Sequence, residues 1–165
     1  MSTAIYPGSF DPITLGHLNI IRRAAAIFDR VVVCVMKNGE KTPMFTLDER
    51  VELVRRVTER LGNVEVATTD KLLAEYAKQF EDAVIVKGLR AVSDFDYEFQ
   101  IALINKKMNP ELDTLFLTAS EKYTFLSSTA VKEMAAYGAD LTEFVPMEII
   151  GDVIEKTNKR RQTAT

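Results

Sequence analysis

The sequence alternates between short apolar runs and longer segments in which apolar residues recur every three or four positions. The short runs are rich in β-branched residues, and they comprise Ala4 to Tyr6, Val31 to Met36, Val64 to Ala67, Ala83 to Val86 and Thr114 to Leu117. β-branched residues favour strands, and the longer spacing is typical of amphipathic helices. Strands that alternate with helices and are apolar throughout indicate a parallel sheet covered on both faces. The sequence therefore predicts an α/β fold: one doubly wound, Rossmann-like parallel five-stranded sheet with helices on both faces.

Length and charge narrow the function classes. A chain of 165 residues fits a single domain, 1–165, that buries about 70% of its unfolded surface without a disulfide or metal. A net charge of −3 is too balanced for a general nucleic-acid binder. The apolar runs are too short to span a bilayer, and Pro7, Gly8, Asp11 and Pro12 interrupt any signal peptide. The single cysteine, Cys34, cannot form an internal disulfide, so we expect a cytoplasmic protein. From the charge and the short apolar runs we expect no nucleic-acid or membrane partner.

Several helix ends carry recognisable signals. Thr46-Leu47-Asp48-Glu49 has the pattern of a capping box, and Ser93-Asp94-Phe95-Asp96 is a weaker version. Gly138 fits the residue after a helix, and Pro146 fits the first turn of a last helix. We expect the basic tail, residues 156–165, to be the frayed end of that helix.

The loop after the first strand leads directly into a helix. In doubly wound sheets, ligands bind beyond the carboxyl ends of the strands. Gly8 and Gly16 allow the backbone to approach a ligand, and a helix N-terminus offers free amides to a phosphate. His17, the only histidine, falls in the first helical turn, where its imidazole could donate to a phosphate oxygen. An isolated histidine is more often a packing residue, but the glycine-rich turn after a strand favours the functional interpretation.

Other phosphate-binding groups follow the remaining strands. Lys41 follows the second strand, Lys87 and Arg90 flank Gly88 at the end of the fourth, and three hydroxyls, Ser127 to Thr129, begin a helix after the fifth. Taken singly, these could be a solvated loop, a strand-end charge pair and an ordinary helix cap. Together they predict one polyanion site without a protein nucleophile. Such a site suits phosphoryl or nucleotidyl transfer, where positioning and charge stabilisation dominate catalysis.

Four segments, in order and at matching spacing, resemble the bacterial phosphopantetheine adenylyltransferases. That family belongs to the nucleotidyltransferase superfamily with the (His/Thr)-x-Gly-His motif. The segments are Pro7-Gly8-Ser9-Phe10-Asp11-Pro12-x-Thr14-x-Gly16-His17, Lys41-x-Pro43-Met44-Phe45-Thr46-Leu47, Gly88-Leu89-Arg90-Ala91-Val92-x-Asp94-Phe95-x-Tyr97-Glu98 and Ser127-Ser128-Thr129-x-Val131-Lys132.

The resemblance implies a reaction and its partners. ATP and 4'-phosphopantetheine would give 3'-dephospho-coenzyme A and pyrophosphate, with Mg²⁺, in the penultimate step of coenzyme A biosynthesis. It also implies a homohexamer, and coenzyme A as a feedback ligand.

The resemblance further implies roles for individual residues. His17 would stabilise the transition state, with Ser9 and Arg90 as its catalytic partners, and Asp11 would contact Mg²⁺ or its water shell. The implied phosphopantetheine-binding residues are Ser9, Lys41, Leu73 and Lys87. The implied ATP-binding residues are Ser9, Phe10, His17, Gly88, Leu89, Arg90, Glu98, Tyr123, Thr124, Phe125, Leu126, Ser127, Ser128 and Thr129.

Three residues depart from the family pattern, and two alternatives stay open. Lys87 stands where the family usually has arginine, Thr129 where it has serine, and Tyr123 where it has tryptophan or a similar aromatic. One alternative is another adenylyl- or cytidylyltransferase, acting on a pyridine mononucleotide or a polyol phosphate, although such enzymes usually have histidine in place of Thr14. The other is a non-catalytic nucleotide-binding regulator on the same fold.

Overall fold

The structure, a computed structural model, describes residues 1–37, 39 and 42–164. Five strands form one sheet, and they are β1 Thr3–Gly8, β2 Arg30–Met36, β3 Val64–Thr69, β4 Ala83–Leu89 and β5 Asp113–Thr118. All neighbouring strands pair in parallel, in the order β3-β2-β1-β4-β5. The predicted five-stranded parallel sheet is confirmed. Winding reverses between β1 and β4, so a crevice opens at their carboxyl ends.

Helices cover both faces of the sheet. The α-helices are α1 Leu15–Ile27, α2 Leu47–Thr58, α3 Leu73–Ala77, α4 Val92–Met108, α5 Ser128–Ala136 and α6 Ile150–Thr163, with short 3₁₀ turns at Glu121–Tyr123 and Met147–Ile149. Successive strand residues face opposite sides. Ala4 and Tyr6 therefore join a core with α1, α2, α5 and α6, while Ile5 packs on the other face with α3. None of the helices in the described ranges combines the length and apolarity needed to cross a bilayer.

Most of the predicted helix signals are confirmed. The Thr46 hydroxyl accepts from the Glu49 amide, and the Glu49 carboxylate accepts from the Thr46 amide, as in a capping box. Gly138 ends α5 with a φ of 72°, in the left-handed region that glycine tolerates. The Ser93 signal is wrong, because α4 already begins at Val92 and Ala91 precedes it without a side-chain cap.

The expectation of a frayed basic tail is also wrong. Helix α6 continues to Thr163. Lys156 and Arg160 have partners outside the helix, and Lys159 pairs with Glu155 one turn earlier, which explains why the last turns persist. Lys156 Nζ lies 2.7 Å from a Glu49 carboxylate oxygen, and Arg160 donates to the carbonyl oxygens of Thr42 and Pro43 at 3.0 and 2.7 Å.

Candidate active site

A cavity of about 260 Å³ opens at the carboxyl ends of β1 and β4, where the strand order reverses. Its walls come from the loop after β1, the first turn of α1, the end of β4, the start of α4 and the segment entering α5. The structure brings ten of the predicted site residues to this cavity: Phe10, His17, Lys87, Gly88, Arg90, Glu98, Tyr123, Leu126, Ser127 and Ser128. The predicted convergence of the histidine, the cations and the hydroxyl-rich helix start is therefore present in the fold.

The glycine-rich turn is shaped around one aromatic ring. Phe10 has a φ of 50° and is almost fully buried. Its ring meets Tyr6 edge-on at 5.5 Å and His17 edge-on at 5.1 Å between ring centroids. A Cβ added to Gly8 would lie 2.9 Å from the Phe10 ring, so only glycine fits beneath it. The Phe10 ring thus fixes the position of the imidazole from one side.

The start of α1 fixes the tautomer of His17. Thr14 is the N-cap and accepts from the His17 amide at 3.3 Å, while the Thr14 amide donates to His17 Nδ1 at 3.0 Å. This pair forms a capping box in which the imidazole takes the place of the usual glutamate. Because Nδ1 accepts a hydrogen bond from an amide, the proton of the neutral ring resides on Nε2.

The surroundings of His17 keep the ring neutral. Burial lowers the pKa of His17 to about 4, and the positive charges of Arg90 and Lys87 contribute in the same direction. Near neutral pH the ring therefore presents an uncharged Nε2–H donor. Such a donor can stabilise negative charge without first taking up a proton.

Two cations of the cavity are held by acidic side chains. Lys87 Nζ lies 3.2 Å from Glu98 Oε2, with both side chains half-buried. Arg90 Nη1 donates to the Leu126 carbonyl at 2.8 Å, and its Nε lies 3.6 Å from Asp94. Arg90 therefore links the end of β4 to the segment that enters α5. These contacts orient both cations before any anion arrives.

The hydroxyls at the start of α5 have separate contacts. Ser127 caps the helix, since its hydroxyl accepts from the Ala130 amide at 3.1 Å. Ser128 donates to the Pro12 carbonyl at 2.8 Å and so joins α5 to the loop after β1. Thr129 is exposed and does not line the cavity.

Several predicted residues lie outside the cavity wall: Ser9, Leu73, Leu89, Thr124, Phe125 and Thr129. The backbone of Ser9 is held by Arg50, which donates a hydrogen bond to the Ser9 carbonyl. Leu73 begins α3 and packs against the core on the opposite face of the sheet. Phe125 is exposed and meets Phe144 edge-on. Lys41 falls outside the described residues.

Asp11, which is predicted to contact Mg²⁺ or its water shell, is buried beside the loop that precedes α2. The side chain is 1% exposed and does not line the cavity. One carboxylate oxygen accepts from the Phe45 amide at 2.8 Å, and the other accepts from the Met44 amide at 2.9 Å and pairs with Lys132 at 3.3 Å. Both oxygens are engaged, so Asp11 anchors the chain instead. No group of three or more His, Cys, Asp or Glu side chains that could hold a metal occurs among residues 1–37, 39 and 42–164.

Sequence reasoning missed some of the cavity wall, including Tyr6, Ile20, Asp94 and Ala119. Asp94 carried a usable signal, because it follows Arg90 by four residues, the spacing of a helical ion pair. A buried arginine beside the site, Arg50, was also missed. Arg50 lies three residues after Leu47 and four before Val54, on the apolar face of α2. A charged residue on that face was the signal of a buried cation.

Comparison with known proteins gives matches to a protein family and to individual named proteins. The family model described as cytidylyltransferase-like matches residues 5–134. The phosphopantetheine adenylyltransferase of Caldanaerobacter subterraneus subsp. tengcongensis is 53% identical over 96% of this chain and 99% of that protein. The protein of the same name from Clostridium botulinum strain Hall is 48% identical over 98% and 99% of the two chains.

A solved structure supports the fold. A crystal structure from Vibrio parahaemolyticus, provisionally named a nicotinate-nucleotide adenylyltransferase, superposes with a TM-score of 0.67. It covers 94% of this chain and 96% of its own, at 19% identity. At that identity the likeness concerns the fold alone.

Proposed function

The chain belongs to the cytidylyltransferase-like family and, within it, to the phosphopantetheine adenylyltransferases, and from this premise we propose how its cavity carries out the reaction. The enzyme transfers the adenylyl group of ATP to 4'-phosphopantetheine, yielding 3'-dephospho-coenzyme A and pyrophosphate in coenzyme A biosynthesis. The observation that carries the mechanism is that the Nε2–H donor of His17 shares one cavity with Lys87 and Arg90.

The reaction is a direct displacement at phosphorus. A phosphate oxygen of phosphopantetheine forms a bond to the α-phosphorus of ATP, and the bond from that phosphorus to the oxygen bridging to the β-phosphate breaks. Pyrophosphate leaves with the electron pair of that bond. Because the attacking oxygen is already anionic, no general base is required, in keeping with a cavity whose imidazole is already hydrogen-bonded at Nδ1.

The chain's own residues gather and neutralise the two polyanions. The Nε2–H of His17 donates to the α-phosphate as charge grows there. Lys87 and Lys41 hold the phosphate of phosphopantetheine. The family resemblance also assigns Ser9 to the reacting phosphate and Leu73 to the pantetheine arm, although both lie beyond the cavity wall. Lys87 exchanges its contact with Glu98 for the incoming phosphate, since a phosphate dianion competes well for the ammonium.

The nucleotide occupies the part of the cavity between α1 and α5. Arg90 binds the phosphates of ATP, supported by the orientation that Leu126 and Asp94 impose on its guanidinium. Gly88 and Glu98 form one wall, and Leu89 follows Gly88 at the end of β4. The family resemblance assigns a second group to the adenosine and triphosphate, of which Thr124, Phe125 and Thr129 lie beyond the cavity wall: Phe10, Tyr123, Thr124, Phe125, Leu126, Ser127, Ser128 and Thr129. The free amides at the start of α5 suit the triphosphate.

Mg²⁺ enters as a counter-ion of the nucleotide in this proposal. The described residues do not fit a resident metal site, since Asp11 is engaged by two amides and Lys132. No step of the mechanism depends on a protein-bound ion.

We also propose that the enzyme assembles as a homohexamer. Helix α4 exposes apolar side chains, with Val92 88%, Tyr97 65% and Leu103 and Ile104 each 54% exposed. Exposed apolar surface of this extent is typical of protein–protein contacts. A second copy of this chain is the occupant that the family resemblance favours, and light scattering during size exclusion measures the mass. A monomer at micromolar concentration would contradict the assembly.

Coenzyme A feedback and a cytoplasmic location complete the proposal. Coenzyme A contains the pantetheine arm and the adenosine of the two substrates, so it would compete for the same cavity. The buried free thiol of Cys34 suits a reducing compartment. Competition between coenzyme A and ATP in steady-state kinetics tests the first point.

Pyrophosphate release tests the reaction itself. The purified protein is incubated with ATP and Mg²⁺, and with phosphopantetheine, nicotinate mononucleotide or glycerol phosphate as the acceptor. Of the three acceptors, we expect only phosphopantetheine to support turnover. Turnover with nicotinate mononucleotide or glycerol phosphate would favour another nucleotidyltransferase, and nucleotide binding without any turnover would favour a regulator.

A further inference from the structure

Arg50 is a buried arginine that joins three separate stretches of chain. It is 2% exposed. Its Nη1 donates to the Ser9 carbonyl at 2.7 Å and to the Met36 carbonyl at 2.8 Å, and its Nε donates to the Phe45 carbonyl at 3.3 Å. These carbonyls belong to the turn after β1, the last residue of β2 and the residue that precedes the capping box of α2.

Asp11 holds the same region from the other side. Its carboxylate accepts from the Met44 and Phe45 amides. Phe45 is therefore bound through its N–H by Asp11 and through its carbonyl by Arg50. Met36 and Phe45 bracket the stretch that contains Lys41, so both ends of that stretch are anchored.

The negative charge of Asp11 offsets part of the cost of burying Arg50. Burial lowers the pKa of Arg50, and the negative charge of Asp11 opposes that effect. A buried guanidinium is costly unless its donors are satisfied. Its planar fork reaches several carbonyls at fixed angles, which lysine cannot reproduce. The arrangement suits the precise placement of three chain segments.

We propose that Arg50 is a positioning residue for the acceptor side of the site. It holds the Ser9 turn and the backbone at Met36 and Phe45, and thereby sets the place where the phosphate of phosphopantetheine binds. This inference rests on the proposed function. Within the described ranges, its hydrogen bonds go to Ser9, Met36 and Phe45 and not to His17 or Arg90, so the effect falls on the acceptor more than on ATP.

Arg50→Lys tests the inference, because it keeps the charge beside Asp11 and removes the fork. Steady-state kinetics with each substrate varied should show the KM for phosphopantetheine rising by about tenfold, because the loosened segments no longer hold the acceptor side of the site in place. The kcat should fall, while the KM for ATP stays unchanged. Melting temperatures are measured in parallel.

Two controls on the same helix separate positioning from stability. Arg56→Lys makes the same substitution at an exposed arginine that contacts Glu148 and Asp152, away from the cavity. Val54→Ala removes buried methyl groups and lowers stability without touching the acceptor side. Both should keep the wild-type KM values. If Arg50→Lys changes only the melting temperature, as Val54→Ala does, the inference is overturned.

If Arg50→Lys fails to fold, Asp11→Asn takes its place. Asparagine keeps the shape of the side chain but can accept only one of the two amides, so the KM for phosphopantetheine should again rise. An unchanged KM in a folded Asp11→Asn protein would overturn the inference. Absence of pyrophosphate release by the wild-type protein would instead overturn the proposed function, and the inference with it.

Discussion

The backbone N–H of Thr14 donates to Nδ1 of His17 over 3.0 Å. Thr14 therefore has two roles, because it caps α1 and also sets the tautomer of the imidazole three residues later. In the proposed mechanism the Nε2–H group of His17 donates to the substrate, whereas Nδ1 accepts from the Thr14 amide at the start of α1. The two nitrogens can be tested separately.

His17→Asn should separate the helix cap from the Nε2–H donor. The Asn Oδ1 can take the place of Nδ1 and accept from the Thr14 amide, while no atom remains at the Nε2 position. We expect a near wild-type melting temperature and a kcat lower by ~10²–10³, the cost of removing one aimed donor. Turnover close to the wild-type rate would contradict the role of His17.

His17→Ala is the matched comparison. It removes both nitrogens, so it should lose as much turnover as His17→Asn and in addition about 0.5–2 kcal/mol of stability, the range for a lost helix cap. Thermal unfolding distinguishes the two variants. Equal melting temperatures would show that the contact to Nδ1 contributes nothing to α1.

The protonation of His17 can be followed directly, because no other histidine occurs in the sequence. Its pKa of about 4 lies below the ordinary value of 6.5, owing first to burial and then to Arg90 and Lys87. Ring signals in NMR should therefore stay constant from pH 8 to well below pH 6 and titrate only near pH 4. The ¹⁵N shifts should show the proton on Nε2. Titration near pH 6.5 would contradict the burial of the ring.

The same pKa predicts the sign of a pH effect on stability. Between about pH 6.5 and pH 4 the unfolded chain binds a proton that the folded protein does not. The contribution of His17 to stability is therefore present above pH 6.5 and is lost as the pH falls through this interval. Urea titrations should give similar stabilities for wild type and His17→Asn near neutral pH, and the wild type should lose stability relative to His17→Asn as the pH falls from 6.5 towards 4. A wild type that instead gains stability relative to the variant on acidification would mean that the folded ring takes up a proton more readily than the unfolded one.

Lys87→Arg tests the departure from the usual family residue. The guanidinium can bind a phosphate through two parallel hydrogen bonds, whereas the ammonium offers a single point of charge. We expect phosphopantetheine to bind at least as tightly as in the wild type, as measured by calorimetry. Lys78→Arg is a suitable control, because Lys78 pairs with Glu75 at an exposed site outside the cavity. Clearly weaker binding by Lys87→Arg alone would show that this cavity, with Glu98 3.2 Å away, is adapted to lysine.

The sequence predicted those secondary-structure elements well whose signals depend only on neighbouring residues. The strand runs and the capping box at Thr46 depend on neighbouring residues, and both are present. The predicted positions of the strand ends were less accurate, since the fourth run was expected to end at Val86. Strand β4 extends through Lys87 and Gly88 to Leu89, since these residues pair with Phe116, Leu117 and Thr118 of β5. Pairing between distant strands leaves no local signature.

The same limit explains the errors at the site. A carboxylate in a loop reads equally well as a metal ligand or as an acceptor for amides, and only the fold brings Met44 and Phe45 to Asp11. The basic residues of α6 looked solvated because their partners, Glu49 and the carbonyls of Thr42 and Pro43, are more than a hundred residues away in sequence. The convergence of His17, Lys87 and Arg90 was predictable because parallel strands place all their carboxyl ends at one edge.

Gly8→Ala should disturb the catalytic turn through packing alone. The new Cβ would lie 2.9 Å from the buried Phe10 ring, and that ring contacts His17 edge-on. Displacing Phe10 in a filled core should cost ~1–3 kcal/mol of stability and lower kcat by moving the imidazole. Gly62→Ala is the control, since a Cβ there meets no described atom within 4 Å. Thermal unfolding and steady-state kinetics measure both variants. Wild-type kcat in a destabilised Gly8→Ala protein would show that the Phe10 ring does not position His17.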